Sequence, residues 1–377
     1  MADDSYTEVT SRSWFSRLGQ SIGGVLFGLL LLLGGGILLF TNEGRSVATA
    51  KALEEGLGLV KSIDAGRILP ENEGSLVHLT GLADTQSTVT DAALGVSARA
   101  LRLRRTVEMY QWRENTESRT HKTVGGGETT ETTYTYTKTW SDTHIDSSHF
   151  KKPDGHANPA SMPYDTREFT ASKVTLGAFV LPARLVDDLT AYEPLVVEVP
   201  PTLRGKATAS GSGFFVGTNP AEPQIGDLTI RWDQVQPQEV SVYAAQAGNT
   251  LAPFKTKNGR SLERIQTGVH SAPAMFEQAV SENVTLTWVL RALGFLLLFI
   301  GFALAFRPIS VLLDVLPFLG NLAEVGLGLA AFVLALALGL IIVGVAWFFY
   351  RPLLALVLIA LALAAFYGLA RRRPKAA

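Results

Sequence analysis

The chain has 377 residues, 47% of them hydrophobic, and 33 Lys and Arg stand against 34 Asp and Glu for a formal net charge of −1. A near-zero charge gives no electrostatic basis for nucleic-acid binding. The absence of cysteine excludes disulfides, thiol nucleophiles and thiolate metal sites, so a metal site would have to use the six scattered histidines and carboxylates.

Residues 1–20 are polar and read as a short flexible tail carrying Arg12 and Arg17. Residues 21–40 contain no charge. At about 1.5 Å per residue, a helix of roughly 20 residues crosses the ~30 Å hydrocarbon core of a bilayer. A signal peptide is the competing reading, but the run is long for one, and Thr41-Asn42-Glu43-Gly44-Arg45 offers no small-x-small cleavage site. An uncleaved helix is therefore expected. Gly24, Gly28, Gly34, Gly35 and Gly36 let another helix approach closely, either from the same chain or from a second copy. Residues 47–59 continue with a helical pattern.

The region 41–283 reads as one compact β-rich domain of small barrel or sandwich type. Residues 76–81 form a short apolar run. Residues 101–112 and 129–140 alternate around Gly125-Gly126-Gly127 and predict a long hairpin, with Tyr134, Tyr136 and Trp140 on one face. Further strands are expected at 174–181, 195–199, 213–216, 228–232 and 240–245, with Gly and Pro clusters between them. A short helix at 272–281 leads into a second span at 288–306, whose Arg291 lies near enough to the interface to snorkel. Residues 309–324 read as an amphipathic segment at the membrane surface or, alternatively, a re-entrant element. Uncharged runs at 325–349 and 352–370 give a third and a fourth span.

The expected fold is thus α+β: four transmembrane helices and a large β-rich domain between the first and second. Basic residues near the spans orient it. Arg12, Arg17 and Arg307, with Arg371, Arg372, Arg373 and Lys375 in the 371–377 tail, place both termini in the cytoplasm and residues 41–283 outside it; Arg351 departs from the rule.

No catalytic constellation is evident. Gly211-Ser212-Gly213 lacks the lysine and strand-to-helix context of a phosphate loop and reads as a turn. His144 and His149, beside Asp142 and Asp146, have zinc-ligating chemistry, but they sit in a Ser/Thr/Asp-rich stretch that reads as a solvated loop. No metal, cofactor or catalytic residue is assigned. The interiors of the spans carry no Asp, Glu or His of the kind that coupled transporters use near the midplane.

Several strings, in order along nearly the whole chain, resemble the LUMA family, known as transmembrane protein 43. They are Asn42-Glu43-Gly44-Arg45; Glu71-Asn72-Glu73-Gly74 with His78; and Val107-Glu108-Met109-Tyr110-Gln111-Trp112. His156 with Asn158-Pro159, Gly226-Asp227 and Arg351-Pro352 complete the set. The resemblance implies four spans with a large domain between the first two. It also implies organisers that self-associate and, in animals, occupy the endoplasmic reticulum and inner nuclear membrane with partners such as emerin and lamins. No enzyme activity is implied. The Ala-rich, cysteine-free composition reads as bacterial, which points to an inner membrane with a periplasmic domain, where nuclear partners cannot apply; a eukaryotic chain would instead lie in the endoplasmic reticulum or inner nuclear membrane. Within the strings, Gly44 and Gly74 suit turns, Glu43 and Arg45 suit the exit of the first helix from the membrane, and His156 suits an ordered turn.

The functional expectation is a non-enzymatic membrane scaffold that forms a homo-oligomer, its β-rich domain binding other membrane proteins or lipid. One rival is a membrane enzyme subunit acting on lipid or envelope polymers through His78, Glu108, His156 and Asp227. The other is a channel or transporter lined by Arg307, Asn321 and Glu324.

Overall fold

The computed structural model describes residues 5–314 and 317–357 with 360 and 364; for 317–322 it describes the backbone alone. The side chain of Asn321, most of the fourth apolar run and the basic residues Arg371, Arg372, Arg373 and Lys375 lie outside the described residues. The chain divides into two compact units.

The first unit comprises residues 1–8, 54–118 and 132–276 and is built mainly from β-strands. One sheet holds eight strands and another seven, with two separate two-stranded ribbons. The hydrophobic alternation of the sequence explains the pairing. In the first sheet Leu228–Val235 lies antiparallel to Arg102–Lys122, with Val107 opposite Ile230 and Met109 opposite Leu228. In the second, Gln238–Ala247 lies antiparallel to Leu76–Asp84, with Val242 opposite Leu79. Val77, Leu79 and Val242 of one sheet join Leu103, Val107, Ile230 and Trp232 of the other in a single buried core. Residues of both sheets thus share one core, as a β-rich domain requires.

A buried Asp91 takes two hydrogen bonds from Arg105, at 2.7 and 2.9 Å, and one from the Trp232 indole at 3.1 Å. This satisfies charges that would otherwise be costly to bury. Several strand boundaries differ from expectation. The run 174–181 breaks into Val174–Leu176 and Phe179–Leu181, because Gly177 turns the chain at φ +58° against the Ala65 backbone, where a Cβ would not fit. Of 195–199 only Leu195 is in a strand, Glu193–Leu195.

The second unit comprises residues 9–53, 119–131 and 277–377. Among the described residues its framework is three helices: α1 Trp14–Leu59 and α3 Ala272–Leu313, both of which extend into the first unit, and α4 Pro317–Tyr350 (α2 is the single turn Ala183–Val186 of the first unit). Among the described residues, these three long helices are apolar enough to cross a membrane. The runs 21–40, 288–306 and 325–349 fall within them. Large apolar side chains remain outside the packing, among them Leu26, Leu30, Leu33, Leu296, Leu340 and Phe349. α1 and α3 run antiparallel at close range. A Cβ on Gly28 would lie 2.7 Å from the Gly301 carbonyl oxygen, and one on Gly35 would lie 3.0 Å from that of Gly294. Gly24 also faces α3 through Leu304, Gly36 faces Ile342 of α4, and Gly34 has open space beside it.

Three sequence expectations are corrected here. The segment 309–324 is not one interfacial element. Residues up to Leu313 finish α3, and Pro317, with no amide N–H to donate, begins α4. Residues 5–12 are not a flexible tail: they form the edge strand Ser5–Arg12 against Glu128–Ser141. That pairing conflicts with placing residues 1–20 and the whole of 41–283 on opposite sides of a membrane. Finally, Gly44 sits inside α1, which continues to Leu59 without a turn.

Candidate functional site

The family-like string 42–45 lies in a dense polar site of the helical unit. Being on a helix, its four residues point in successive directions about 100° apart. Glu43 is fully buried and accepts hydrogen bonds from Arg291 of α3 at 2.6 and 2.9 Å and from the Trp347 indole of α4 at 2.9 Å. One carboxylate thereby ties three helices together. The Arg291 guanidinium lies 4.7 Å from the centre of the Trp288 ring and 5.9 Å from that of Trp347. Arg291 is therefore held by a carboxylate and two aromatic faces instead of snorkelling.

Asn42 donates to the Thr287 carbonyl at 3.0 Å and accepts from Arg45 at 3.1 and 3.2 Å. Arg45 also donates to Asn283 and to the Thr287 hydroxyl, each at 2.9 Å, and Asn283 donates to the Ser46 carbonyl. Gly44 supplies clearance, since a Cβ there would lie 2.7 Å from the Tyr350 ring. Glu43 and Arg45 thus act across helices, and neither marks a helix exit.

A second charged cluster lies at the start of α1. Arg17 pairs with Glu128 at 3.0 Å and Asp314 at 2.6 Å; Lys122 pairs with Asp314 at 3.0 Å and Glu324 at 2.7 Å. The Trp14 indole donates to the Val311 carbonyl at 2.8 Å. Burial alone would lower the Lys122 pKa, but its bonds to Glu324 and Asp314 outweigh this and hold it above the usual lysine value. From Arg17 to Glu43 on α1 is 26 residues, or roughly 39 Å of helix. The two clusters bracket a zone matched to a bilayer core plus part of its interfaces.

In the β-rich unit the remaining family-like residues each hold a structural contact. Glu71 and Asn72 lie in the turn Pro70–Asn72; Glu73 accepts from the Gly248 amide at 2.9 Å; Gly74, at φ +71°, donates to the Gln246 carbonyl. Gly74 is thus the turn glycine expected. Asn158 bonds both the amide and the carbonyl of Trp112 and the Ile145 carbonyl, standing in for a strand neighbour. Pro159 accepts from His144 at 2.7 Å, and Tyr110 packs on Trp140 with ring centres 5.1 Å apart. Gly226, at φ +97°, turns the chain so that Asp227 accepts from the Gln224 amide. Arg351 donates its amide to the Trp347 carbonyl at the end of α4, and Pro352 opens the next helical turn.

The four residues nominated for catalysis stand in separate surroundings. His78 is buried, donating from Nε2 to the His270 carbonyl at 2.9 Å and accepting at Nδ1 from the Ser62 hydroxyl at 3.2 Å. Both ring nitrogens are occupied in the neutral form. Burial holds its pKa below the ordinary histidine value, only partly opposed by the bond to His270. His156 is stacked on Tyr136 with ring centres 4.0 Å apart, against the edge of Trp112. Glu108 faces Arg231 at 3.4 Å at the surface, and Asp227 caps its own turn. In the zinc-type stretch His144 is engaged with Pro159, His149 makes an exposed contact with Asp146 at 3.5 Å, and no group of three potential ligands occurs among the described residues.

Sequence reasoning missed Thr287, Asn283, Arg291 and Trp347 as partners of the 42–45 string. The available signal was a lone arginine in an apolar helix with tryptophans nearby, which implies a buried carboxylate elsewhere.

The Transmembrane protein 43 family matches residues 109–352. Human Transmembrane protein 43 is 37% identical over 361 residues, covering 93% of this chain and 90% of that protein. The Drosophila melanogaster homolog is 31% identical over 344 residues, covering 87% and 89%. No solved structure matches. With apolar helices of spanning length and similarity along most of its sequence, the chain is a membrane protein and belongs to the Transmembrane protein 43 family.

Proposed function

We propose that this protein is a non-enzymatic membrane scaffold that self-associates and presents its β-rich unit to partners or lipid. The observation that carries the reading is the Glu43–Arg291–Trp347 lock. Among the described residues, the buried carboxylates of this unit, Glu43 and Asp314, are both committed to ion pairs, which argues against a group held ready to bind an ion or exchange a proton. The residues nominated for catalysis are likewise engaged in packing, turns or a surface ion pair. Gly28 and Gly35 serve α1–α3 packing within one chain, which leaves Gly34 and the exposed leucines of α1 for lipid or a second copy. Residues 352–370 supply a fourth span, and the helical turn that begins at Pro352 supports it.

Native mass spectrometry of the full chain in mild detergent tests the scaffold. A uniform oligomer is expected. A monomer at every concentration overturns self-association, and turnover of a lipid or envelope substrate overturns the non-enzymatic reading.

A further inference from the structure

Between α3 and α4, within the helical unit, lies a cleft of about 300 Å³ walled by Leu304, Leu327 and Gly328 and edged by Arg307, Ser310 and Glu324. Its charges are unevenly committed. Arg17 and Lys122 satisfy Glu128 and Asp314, and Lys122 takes one oxygen of Glu324. Arg307 is exposed and has no hydrogen-bond or ion-pair partner among the described residues. Among the described residues the second oxygen of Glu324 has no partner, on a side chain 64% exposed. Arg307 lies seven residues, about two helical turns, inward of Asp314, so its guanidinium reaches the level of lipid phosphates when extended along the helix.

We propose that this cleft binds a phospholipid whose headgroup carries both a phosphodiester and a primary ammonium, as in phosphatidylethanolamine. Arg307 and the Ser310 hydroxyl donate to the phosphate, the second Glu324 oxygen accepts from the ammonium, and an acyl chain lies against Leu304 and Leu327. Charge balance selects this headgroup. Three cations (Arg17, Lys122, Arg307) meet three carboxylates (Glu128, Asp314, Glu324), so the site as a whole is neutral. A purely anionic headgroup would face Glu324 uncompensated, and a trimethylammonium would have no N–H to give it. This deepens the lipid-binding part of the proposed function and rests on the helices lying in a bilayer.

The test is native mass spectrometry of the full-length protein in detergent with equal amounts of dioleoyl phosphatidylethanolamine, phosphatidylglycerol and phosphatidylcholine. Wild type should retain phosphatidylethanolamine several-fold over the other two. Arg307→Gln should lose retention of all three, and Glu324→Gln should bring phosphatidylethanolamine down to the level of phosphatidylcholine. Gly328→Leu, which fills the cleft without touching a charge, should also abolish retention. Equal retention of the three lipids, or a preference for phosphatidylglycerol that Glu324→Gln leaves unchanged, overturns the proposal. The oligomer mass is read in the same spectra, so loss of the lipid site and loss of the scaffold reading are told apart.

Discussion

Replacing Glu43 by Gln tests whether the lock holds the helices together. The substitution keeps the shape, and the amide oxygen can still accept from Trp347 or Arg291. It removes the charge that balances Arg291 and one of the two acceptors in a bidentate pair measured at 2.6 and 2.9 Å. Glu43 is fully buried and Arg291 has a side chain 13% exposed, so water replaces little of what is lost. Breaking such a pair from one side costs about 3–5 kcal/mol. At ~2 °C or more per kcal/mol for a chain of this size, the unfolding midpoint should fall by at least about 6 °C. The assay is thermal unfolding in detergent followed by tryptophan fluorescence, to which Trp288 and Trp347 report from the lock itself. The double variant Glu43→Leu with Arg291→Leu should recover most of the loss, because it buries no unpaired charge. A Glu43→Gln midpoint within about 2 °C of wild type, under 1 kcal/mol by the same conversion, would refute the reasoning.

Gly28→Ala should destabilise by about 1–3 kcal/mol because its Cβ meets the Gly301 carbonyl oxygen, whereas Gly34→Ala, with open space, should not; equal midpoints would show that α1 and α3 do not pack as described. His78 gives a pH signature. Its folded pKa lies below the unfolded value near 6.5, so its contribution is complete above that pH and declines as pH falls through 6.5 toward the lowered value. Denaturant midpoints at pH 7.5 and 5.5 should therefore differ more in wild type than in His78→Gln, and parallel shifts would remove His78 as the cause. The chain contains no cysteine, so single cysteines report sidedness without background. Thr10→Cys and Val124→Cys should react with an impermeant maleimide from the same face of sealed vesicles, since residues 9–17 and 119–131 meet in one unit; labelling from opposite faces would be incompatible with the Arg17–Glu128 pair.

The apolar runs and the alternating strands were legible because each rests on local periodicity; the strand at 213–216 matched to the residue. What was not legible depends on distance along the chain. Glu43 and Arg291 are 248 residues apart, and nothing local to either one names the other. Gly44 follows an apolar run and so resembles a helix terminator, yet the residue that requires it is Tyr350, on a different helix. That α3 ends at Leu313 and α4 begins at Pro317 was hidden because apolar residues continue past both points. The edge strand Ser5–Arg12 was missed because its partner lies more than a hundred residues away and its threonines and serines carry no apolar signal.

The two charged clusters also fix a length. Each is pinned by ion pairs, so the roughly 39 Å between them on α1 cannot shorten without breaking contacts at one end. Because the pins lie within the bundle, the helices keep their register and meet a thinner membrane by tilting together or by deforming it. Each ångström of mismatch costs a fraction of a kcal/mol, and helices tied together share that cost. Membrane thickness is therefore a variable to which the contacts at both ends of α1 are coupled.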